Sequence, residues 1–371
     1  MCVLLACSLR ERSDGAALAA PVSGAARCAC SCEGSFRPHK VKFRANIPAL
    51  SRRPRRARPQ TGQSRDAGVN CAFQQRRSSI PGGVGDGNDR AIMRRMNAFS
   101  IGFIGGGNMA AAIIGGLRSA GVEAARLRVV EPVAQQRQSL QERFGVAAQA
   151  APGAELADVD VLVWAVKPQQ FAQAAQTLRE SSPQTAEALH LSIMAGVRCA
   201  AIERHAAARR VVRAMPNTPA LIGRGVAGLY ANSGCGELDR ERAAQVLGPT
   251  GALVWVDDEP ALDAVTAVSG SGPAYVFYVL EAMSDAGVRL GLPQATARRL
   301  ALGTIAGAAA LAEASPLSPG QLREQVTSKG GTTAAALQVL GARDVAGAFD
   351  EALRAAAARA AELADELDRP S

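Results

Sequence analysis

The chain is poor in several residue types that dominate active sites and membrane anchors. Aromatic residues make up only 4% of its 371 residues, so the core must be aliphatic and rich in alanine, which favours closely packed helices. No segment approaches the roughly 18 consecutive apolar residues of a membrane-spanning helix, and we expect no membrane insertion. The only histidines are His39, His190 and His205, and none of them lies in a motif described below.

An excess of basic over acidic residues is confined to the first quarter of the chain. Residues 1–95 contain 18 lysines and arginines against 6 acidic residues, a net charge of +12, whereas the whole chain carries +9. The remaining residues therefore carry −3. A mildly acidic folded part gives no electrostatic reason to expect nucleic-acid binding.

Cysteine is also rare beyond residue 95, where only Cys199 and Cys235 occur. Two isolated cysteines predict no disulfide framework and suit a reducing compartment, so we expect a cytoplasmic protein. The first 95 residues contain Cys28-x-Cys30-x-Cys32, but this spacing is not that of a zinc knuckle and no histidine pair completes it. We expect no metal site.

Residues 1–95 form a basic leader that is rich in Arg, Ser, Gly, Pro and Ala, and we predict that it is disordered. Three interpretations compete: an organelle transit peptide, a lipoprotein signal at Leu4–Cys7, or upstream sequence that is not translated. The lipoprotein signal lacks a basic start and its apolar run is short. We favour translation from Met93 or Met96, because Met96 leads directly into the first apolar segment. In each case we expect the leader not to be part of the fold.

A glycine-rich turn follows the first apolar segment. Phe99–Ile104 is typical of a strand, an apolar helical segment follows the turn, and the turn itself matches the dinucleotide fingerprint G-x-G-x-x-A. Gly105 would permit the tight turn, Gly107 the close approach of a pyrophosphate, and Ala110 the contact between helix and strand. The predicted cofactor-binding residues of this turn are Gly105, Gly107, Asn108, Met109 and Ala110.

Glu131 follows a second predicted strand, Leu127–Val130, and lies 21 positions beyond Ala110. Dinucleotide-binding folds place here the residue that meets the adenosine ribose, and a carboxylate at this point favours NADH because it repels a 2′-phosphate. Arg137 and Arg143 follow and could offset that repulsion. We therefore expect NADPH or NADH, with the preference left open.

Further apolar segments continue the alternation and predict a doubly wound, Rossmann-like α/β domain over residues 96–259. Its later strands are expected at Val159–Val166, Leu189–Met194, Arg210–Met215, Gly225–Tyr230 and Ala252–Val256. Two of them end in positions where ligands of such sheets bind. These are Lys167-Pro168 and the rigid connection Pro216-Asn217-Thr218-Pro219.

Strand signals stop after Pro260, and residues 260–371 are predicted to form an all-α domain. Ala274–Leu290 is apolar all round, so the helix must be buried, often against another subunit. Ser269–Tyr275, just before and within it, is interpreted mainly as a kink between two helices. Further helices are expected at Pro293–Ala314, Pro319–Val326 and Ala334–Leu340, with one more completing the chain.

A hydroxyl-rich glycine turn, Thr327-Ser328-Lys329-Gly330-Gly331-Thr332-Thr333, precedes one of these helices. Several N–H donors and the positive end of a helix dipole at one point suit a carboxylate or a phosphate. Alone, the turn is equally consistent with a plain helix cap. Together with the dinucleotide fingerprint it predicts a separate site for an anionic substrate.

Five motifs occur in the order Phe103–Ala110, Ala165–Pro168, Arg213–Pro219, Ser269–Tyr275 and Ser328–Thr333. With these motifs the chain resembles the pyrroline-5-carboxylate reductase family over about Phe99 to Leu367. The resemblance implies hydride transfer from NAD(P)H to the C=N bond of 1-pyrroline-5-carboxylate, giving L-proline in the last step of proline biosynthesis. It also implies that the helical domain mediates dimerisation, as a homodimer or a dimer-based higher oligomer.

The resemblance also implies roles for single residues. The substrate carboxylate would lie on Ser328 and on the N–H groups of Gly330, Gly331 and Thr332, and the hydroxyl of Thr333 would bond the substrate nitrogen as the catalytic contact. Many relatives have Ser-Pro-Gly-Gly here, and we interpret the departure, Lys329, as facing solvent. The cofactor would also contact Ala165, Val166, Lys167, Pro168, Asn217, Thr218 and Pro219.

Three other functions compete with the one that the resemblance implies. A β-hydroxyacid dehydrogenase needs a lysine four positions after Gly272, where this chain has Val276, so its acid–base catalyst is missing. A nucleotide-binding protein without turnover is disfavoured by the intact substrate turn. A reductase of another cyclic imine is the hardest to reject. Because an imine already protonated in solution accepts hydride to give a neutral amine, a site without an acid–base side chain suffices.

Overall fold

A computed structural model describes residues 99–368 of the chain. Its first half is an eight-stranded sheet in the order β3-β2-β1-β4-β5-β6-β7-β8. Strands β1 to β6 are parallel, β7 is antiparallel to β6, and β8 is parallel to β7. The strands are β1 Ile101–Ile104, β2 Leu127–Val130, β3 Ala148–Gln149, β4 Val161–Trp164, β5 Leu189–Ser192, β6 Arg210–Met215, β7 Gly225–Ala231 and β8 Gly251–Trp255.

Helices cover both faces of this sheet, and strand residues alternate between two cores. In β4, Val161 and Val163 belong to one hydrophobic cluster, whereas Leu162 and Trp164 belong to the other. A strand buried on both faces therefore has a continuous apolar sequence. The covering helices are α1 Asn108–Ser119, α2 Ala134–Phe144, α3 Phe171–Ser181, α4 Cys199–Ala206 and α5 Glu237–Leu247.

The order of strands reverses direction between β1 and β4, which lie side by side in the sheet. Ile104, the last residue of β1, pairs with Trp164, the last residue of β4. The segments that begin at Gly105 and Ala165 therefore leave the sheet together at the carboxyl ends of the strands. In doubly wound sheets this switch point is where ligands bind.

The second half of the described chain is helical. Its first helix runs through a π turn, Thr266–Gly270, in which the Ser271 N–H donates to the Thr266 carbonyl over 2.8 Å. The expected kink at this point is thus one extra residue in a nearly continuous helix. The helices are α6 Ala261–Val265, α7 Gly272–Arg289, α8 Gln294–Ala314, α9 Pro319–Gln325, α10 Thr332–Ala342 and α11 Val345–Asp368.

Helix α7 is apolar but exposed. None of its residues is buried, and Phe277 and Tyr278 are 64% and 72% exposed. The burial that its composition requires is therefore not reached within one chain. None of the described helices is by itself long and apolar enough to cross a membrane. Helices α8 and α9, which form a bent pair, reach the length and the apolar composition of a membrane span only when they are taken together.

The last helix returns to the sheet domain. Ala364 on α11 is buried, and Leu367 packs against the core cluster that contains Trp164. Arg198, just before α4, forms ion pairs of 2.6 Å with Asp365 and 2.7 Å with Asp368. The final turns of the chain thus complete one face of the first domain.

The predictions for the leader, including its disorder, its cysteine triplet and the start at Met96, lie outside the described residues. The strands and helices that were expected are observed to within a few residues, and β6 occupies the predicted Arg210–Met215. Strand β3 and helices α2, α3 and α5 were not predicted.

Candidate dinucleotide and substrate site

The turn after β1 is held between the ends of its two neighbouring strands. The Gly105 N–H donates to the Val130 carbonyl at the end of β2 over 2.8 Å. The φ angle of Gly105 is +99°, and an added Cβ would lie 2.6 Å from the Ala165 carbonyl oxygen after β4. Only glycine satisfies both the dihedral angle and this close approach.

Gly107 occupies the N-cap of α1, and the space beside it is open. Gly107 has no side chain to cap the helix, and an added Cβ would meet nothing within 4 Å. Asn108 is exposed, Met109 is half-buried and Ala110 is fully buried against the sheet. An accessible helix N-terminus behind a glycine turn fits the pyrophosphate of a dinucleotide.

Glu131 lies beside this turn and is only 7% exposed. Its Oε2 accepts the Gly106 N–H over 2.7 Å, and its Oε1 accepts the Val133 N–H over 2.8 Å. A carboxylate has about four lone-pair positions, so each oxygen can accept a further hydrogen bond from a ribose hydroxyl. The two backbone donors fix the orientation of the carboxylate beside the glycine turn.

The two arginines that follow Glu131 are engaged elsewhere. Arg137 donates through Nη1 to the carbonyls of Glu131 and Pro132, over 2.9 and 2.8 Å. The guanidinium of Arg143 lies 4.7 Å from the centre of the Phe144 ring. Neither guanidinium is hydrogen-bonded to the Glu131 carboxylate.

The segment after β4 continues along the same edge of the sheet. Ala165 donates its N–H to the Ile104 carbonyl over 2.8 Å, which joins it to the end of β1. Ala165, Val166 and Pro168 are half-buried, whereas Lys167 is exposed. A short 3₁₀ helix then begins at Pro168.

Asn217, after β6, is held by its side-chain amide and is 8% exposed. Its Oδ1 accepts the Val226 N–H over 3.0 Å, and its Nδ2 donates to the Ser269 carbonyl in the π turn over 3.1 Å. The next residues begin a 3₁₀ helix in which Thr218 is exposed and Pro219 half-buried. The connection therefore links the sheet to the helical half.

The proposed substrate turn is compact but open to solvent. Gly330 has a φ of +73°, and Gly331, the N-cap of α10, donates its N–H to the Ser328 carbonyl over 3.1 Å. Gly331 and Thr333 are half-buried. Exposed residues are Ser328, Lys329, Gly330 and Thr332.

The structure brings together one part of the predicted site. Gly105, Glu131 and Ala165 lie close together at the switch point, because Ala165 lies against Gly105 and the Glu131 carboxylate accepts the N–H of the next residue, Gly106. Within residues 99–368, no hydrogen bond joins the Ser328–Thr333 turn to these residues. A cavity of about 800 Å³ between α3 and α4 is lined by none of the motif residues.

Sequence reasoning gave no role to Arg213, although the residue belongs to a motif. Arg213 is 7% exposed in β6, and its Nη1 lies 2.7 Å from Glu259 Oε1. The same oxygen accepts the Cys199 N–H over 2.7 Å at the start of α4. The available signal was one arginine inside an apolar strand, since a buried charge requires a partner.

His190 was not placed in a motif, and the structure makes it a core residue. It is fully buried in β5, where Trp164 Nε1–H donates to its Nδ1 over 3.0 Å. Its Nε2 lies 2.9 Å from the Thr185 carbonyl, so Nε2 carries the proton. Burial lowers the pKa of His190 to about 4, which keeps the ring neutral.

Two family profiles match this chain. One, described as pyrroline-5-carboxylate reductase dimerisation, matches residues 259–363. The other, described as NADP oxidoreductase coenzyme F420-dependent, matches residues 100–196. Together they cover the glycine turn, Glu131, the end of β4 and the helical half. The helical half is thus a dimerisation domain, and the α/β fold with a Rossmann-like first half is confirmed.

Curated relatives match almost along their entire length. The chain is 46% identical over 273 residues to the pyrroline-5-carboxylate reductase of Pseudomonas aeruginosa, which covers 73% of this chain and 99% of that protein. It is 41% identical to that of Haemophilus influenzae, covering 71% and 97%. A plant relative, from Pisum sativum, is 34% identical and covers 72% and 97%.

Solved structures agree with this comparison. The pyrroline-5-carboxylate reductase of Coxiella burnetii superposes with a TM-score of 0.68 at 38% identity, covering 72% of this chain and 99% of that one. The pyrroline carboxylate reductase of Plasmodium falciparum, solved with NADP bound, gives a TM-score of 0.64 at 26% identity with the same coverage.

Proposed function

The chain belongs to the pyrroline-5-carboxylate reductase family, and we propose that it reduces the C=N bond of 1-pyrroline-5-carboxylate to give L-proline, the last step of proline biosynthesis. It is an NAD(P)H-dependent oxidoreductase that acts on a CH–NH group. The structural observation that carries the proposal is the glycine turn at the switch point, with an accessible helix N-terminus behind it.

We assign the cofactor to residues of the first domain. Gly105 and Gly107 shape the turn for the pyrophosphate, Asn108 and Met109 provide N–H groups at the start of α1, and Ala110 seats the helix on the sheet. Glu131 accepts from the adenosine ribose. The segments Ala165-Val166-Lys167-Pro168 and Asn217-Thr218-Pro219 line the nicotinamide side, where the bound cofactor supplies the hydride.

We assign the substrate to the turn before α10. Ser328 and the N–H groups of Gly330 and Thr332 bind the carboxylate, which the positive end of the α10 dipole stabilises. The Gly331 N–H, also predicted as a donor to the substrate, is engaged with the Ser328 carbonyl and closes the turn. The Thr333 hydroxyl bonds the ring nitrogen and orients the C=N carbon towards the nicotinamide. Because reduction of a protonated imine gives a neutral amine, these residues catalyse by positioning, with no proton transfer required in the hydride step.

A second copy of the chain completes this site in our proposal. The substrate turn is exposed and makes no hydrogen bond to the cofactor side within residues 99–368. Helix α7 exposes apolar side chains that another copy can cover. Self-association through the C-terminal helices, as a homodimer or a dimer-based higher oligomer, would bury α7 and enclose the substrate.

The remaining assignments are also proposals. We place the dinucleotide-binding domain at residues 96–259 and the substrate-binding and dimerisation domain at 260–371, with residues 1–95 outside the fold. The protein is proposed to be cytoplasmic, and to act on a small molecule without binding nucleic acid or membrane.

The test is a spectrophotometric assay of the full chain. We expect NADPH or NADH to be oxidised only when 1-pyrroline-5-carboxylate is added, with proline as the product. Absence of turnover with both cofactors at neutral pH would contradict the proposed function. Cyclic imines without the ring carboxylate serve as the control, and equal rates with them would assign the enzyme to another imine substrate.

A further inference from the structure

The start of the helical half carries a carbonyl group that its own helix cannot satisfy. In an α-helix the Ser269 carbonyl would accept from the residue four positions later, which is Pro273 and has no N–H. The next N–H along the chain, that of Ala274, donates to the Ser271 carbonyl over 3.0 Å. The Ser269 carbonyl is therefore left for a donor from outside the helix.

Asn217 supplies that donor from the other half of the molecule. Its Nδ2 reaches the Ser269 carbonyl over 3.1 Å while its Oδ1 accepts the Val226 N–H over 3.0 Å. Both ends of one amide, 8% exposed, are thus engaged. The side chain therefore joins the segment that is proposed to contact the nicotinamide both to β7 and to the π turn.

A second contact at the same joint leaves little free space. An added Cβ on Gly270, in the π turn, would lie 2.7 Å from Met215 Cε at the end of β6. The π turn therefore packs closely on the residue two positions before Asn217. Polar and steric contacts together fix the direction in which α7 leaves the sheet domain.

We propose that Asn217 is a positioning residue, whose amide sets the distance between the nicotinamide segment and the helices that carry the substrate turn. This rests on the proposed function. Hydride transfer requires the reacting atoms to approach about 3–3.5 Å, and a displacement of about 1 Å lowers the rate roughly 100-fold. Because both ends of its amide are bonded to backbone groups of the protein, the side chain acts through the joint between the two halves, in place of the predicted direct contact with the cofactor, and cofactor affinity stays unchanged.

The decisive variant is Asn217→Asp in the full chain. It keeps an oxygen for the Val226 N–H but replaces the donor to Ser269 with an oxygen that repels the carbonyl. We expect kcat to fall roughly 10- to 100-fold. The Kd for NADPH or NADH, from fluorescence titration without imine, should change less than about twofold. The kinetic isotope effect with 4-deuterated nicotinamide should rise, because hydride transfer becomes slower.

Asn232→Asp is the matched control. Asn232 Oδ1 also accepts a backbone N–H of β6, that of Val211 over 3.1 Å, and its Nδ2 donates to the Arg209 carbonyl over 3.1 Å. The hydrogen bonds of its side chain stay within the sheet domain. We expect kcat and the isotope effect of this variant to match those of the unaltered protein.

Pro273→Ala tests the same joint with Asn217 intact, and serves if Asn217→Asp does not fold. The new N–H competes with Asn217 for the Ser269 carbonyl, so kcat should fall several-fold while the dinucleotide Kd stays constant. An unchanged kcat in Asn217→Asp, or a Kd that weakens in step with kcat/KM, would overturn the inference. If the unaltered protein turns over no imine, the proposed function fails instead.

Discussion

Protonation of His190 should lower the free energy of unfolding of this protein as the pH falls. The pKa of the ring is lowered by burial from 6.5 to about 4 in the folded protein. Between these values the unfolded chain binds a proton that the folded protein excludes, so the contribution is complete above pH 6.5 and is lost as pH falls towards 4. At 1.36 kcal/mol per unit, the free energy of unfolding should drop by about 2 kcal/mol at pH 5 and about 3 kcal/mol at pH 4 and below.

Urea unfolding at pH 7 and pH 5, at one protein concentration, measures this loss. The His190→Gln variant keeps an N–H for the Thr185 carbonyl but has no titrating ring, so its stability should change with pH by about 2 kcal/mol less. His205→Gln, a half-buried histidine on α4, is the control and should follow the unaltered protein. Equal losses in the unaltered protein and His190→Gln would refute the reasoning.

Three further predictions concern the site. Thr333→Val should lower kcat/KM, with a loss of transition-state stabilisation of about 1–3 kcal/mol, the size of a lost hydrogen bond to a partly charged group. An unaltered kcat/KM would remove Thr333 from the site. Glu131→Ser should raise the ratio of kcat/KM with NADPH to that with NADH, and an unchanged ratio would mean that the carboxylate does not meet the ribose. Gly107→Val should weaken dinucleotide binding with the melting temperature retained, because the space beside Gly107 is open. In contrast, Gly105→Ala should lower the melting temperature, since its φ is +99° and Ala165 leaves no room; equal melting temperatures for these two glycine variants would contradict this.

Much of the fold was predictable because local patterns and tertiary contacts agree in the sheet domain. The apolar run around β4 predicts a strand covered on both faces, and Leu162 and Val163 do pack in different cores. The glycine spacing predicted a tight turn at Gly105, where the positive φ and the contact with Ala165 explain the residue. Membership of the reductase family and use of NAD(P)H are confirmed.

Other features depend on partners far away in the sequence. Nothing near Glu131 indicated that both carboxylate oxygens accept backbone N–H groups, one of them from the glycine turn. The bond from Asn217 to Ser269 joins residues 52 positions apart. The sequence shows Pro273, but only the π turn in the structure shows that the Ser269 carbonyl lacks a donor from its own helix. The roles of single residues around the substrate and cofactor stay predictions.

The return of α11 to the sheet makes the first domain dependent on residues that are synthesised after every one of its strands. Gly196, with φ of +77°, leaves space for α11, and an added Cβ there would lie 3.2 Å from Leu367. During translation this face of the domain stays uncovered until α11 has left the ribosome, well after every strand has been made. A nascent chain that stops before Ala364 therefore exposes apolar surface of the part of the protein that was made first.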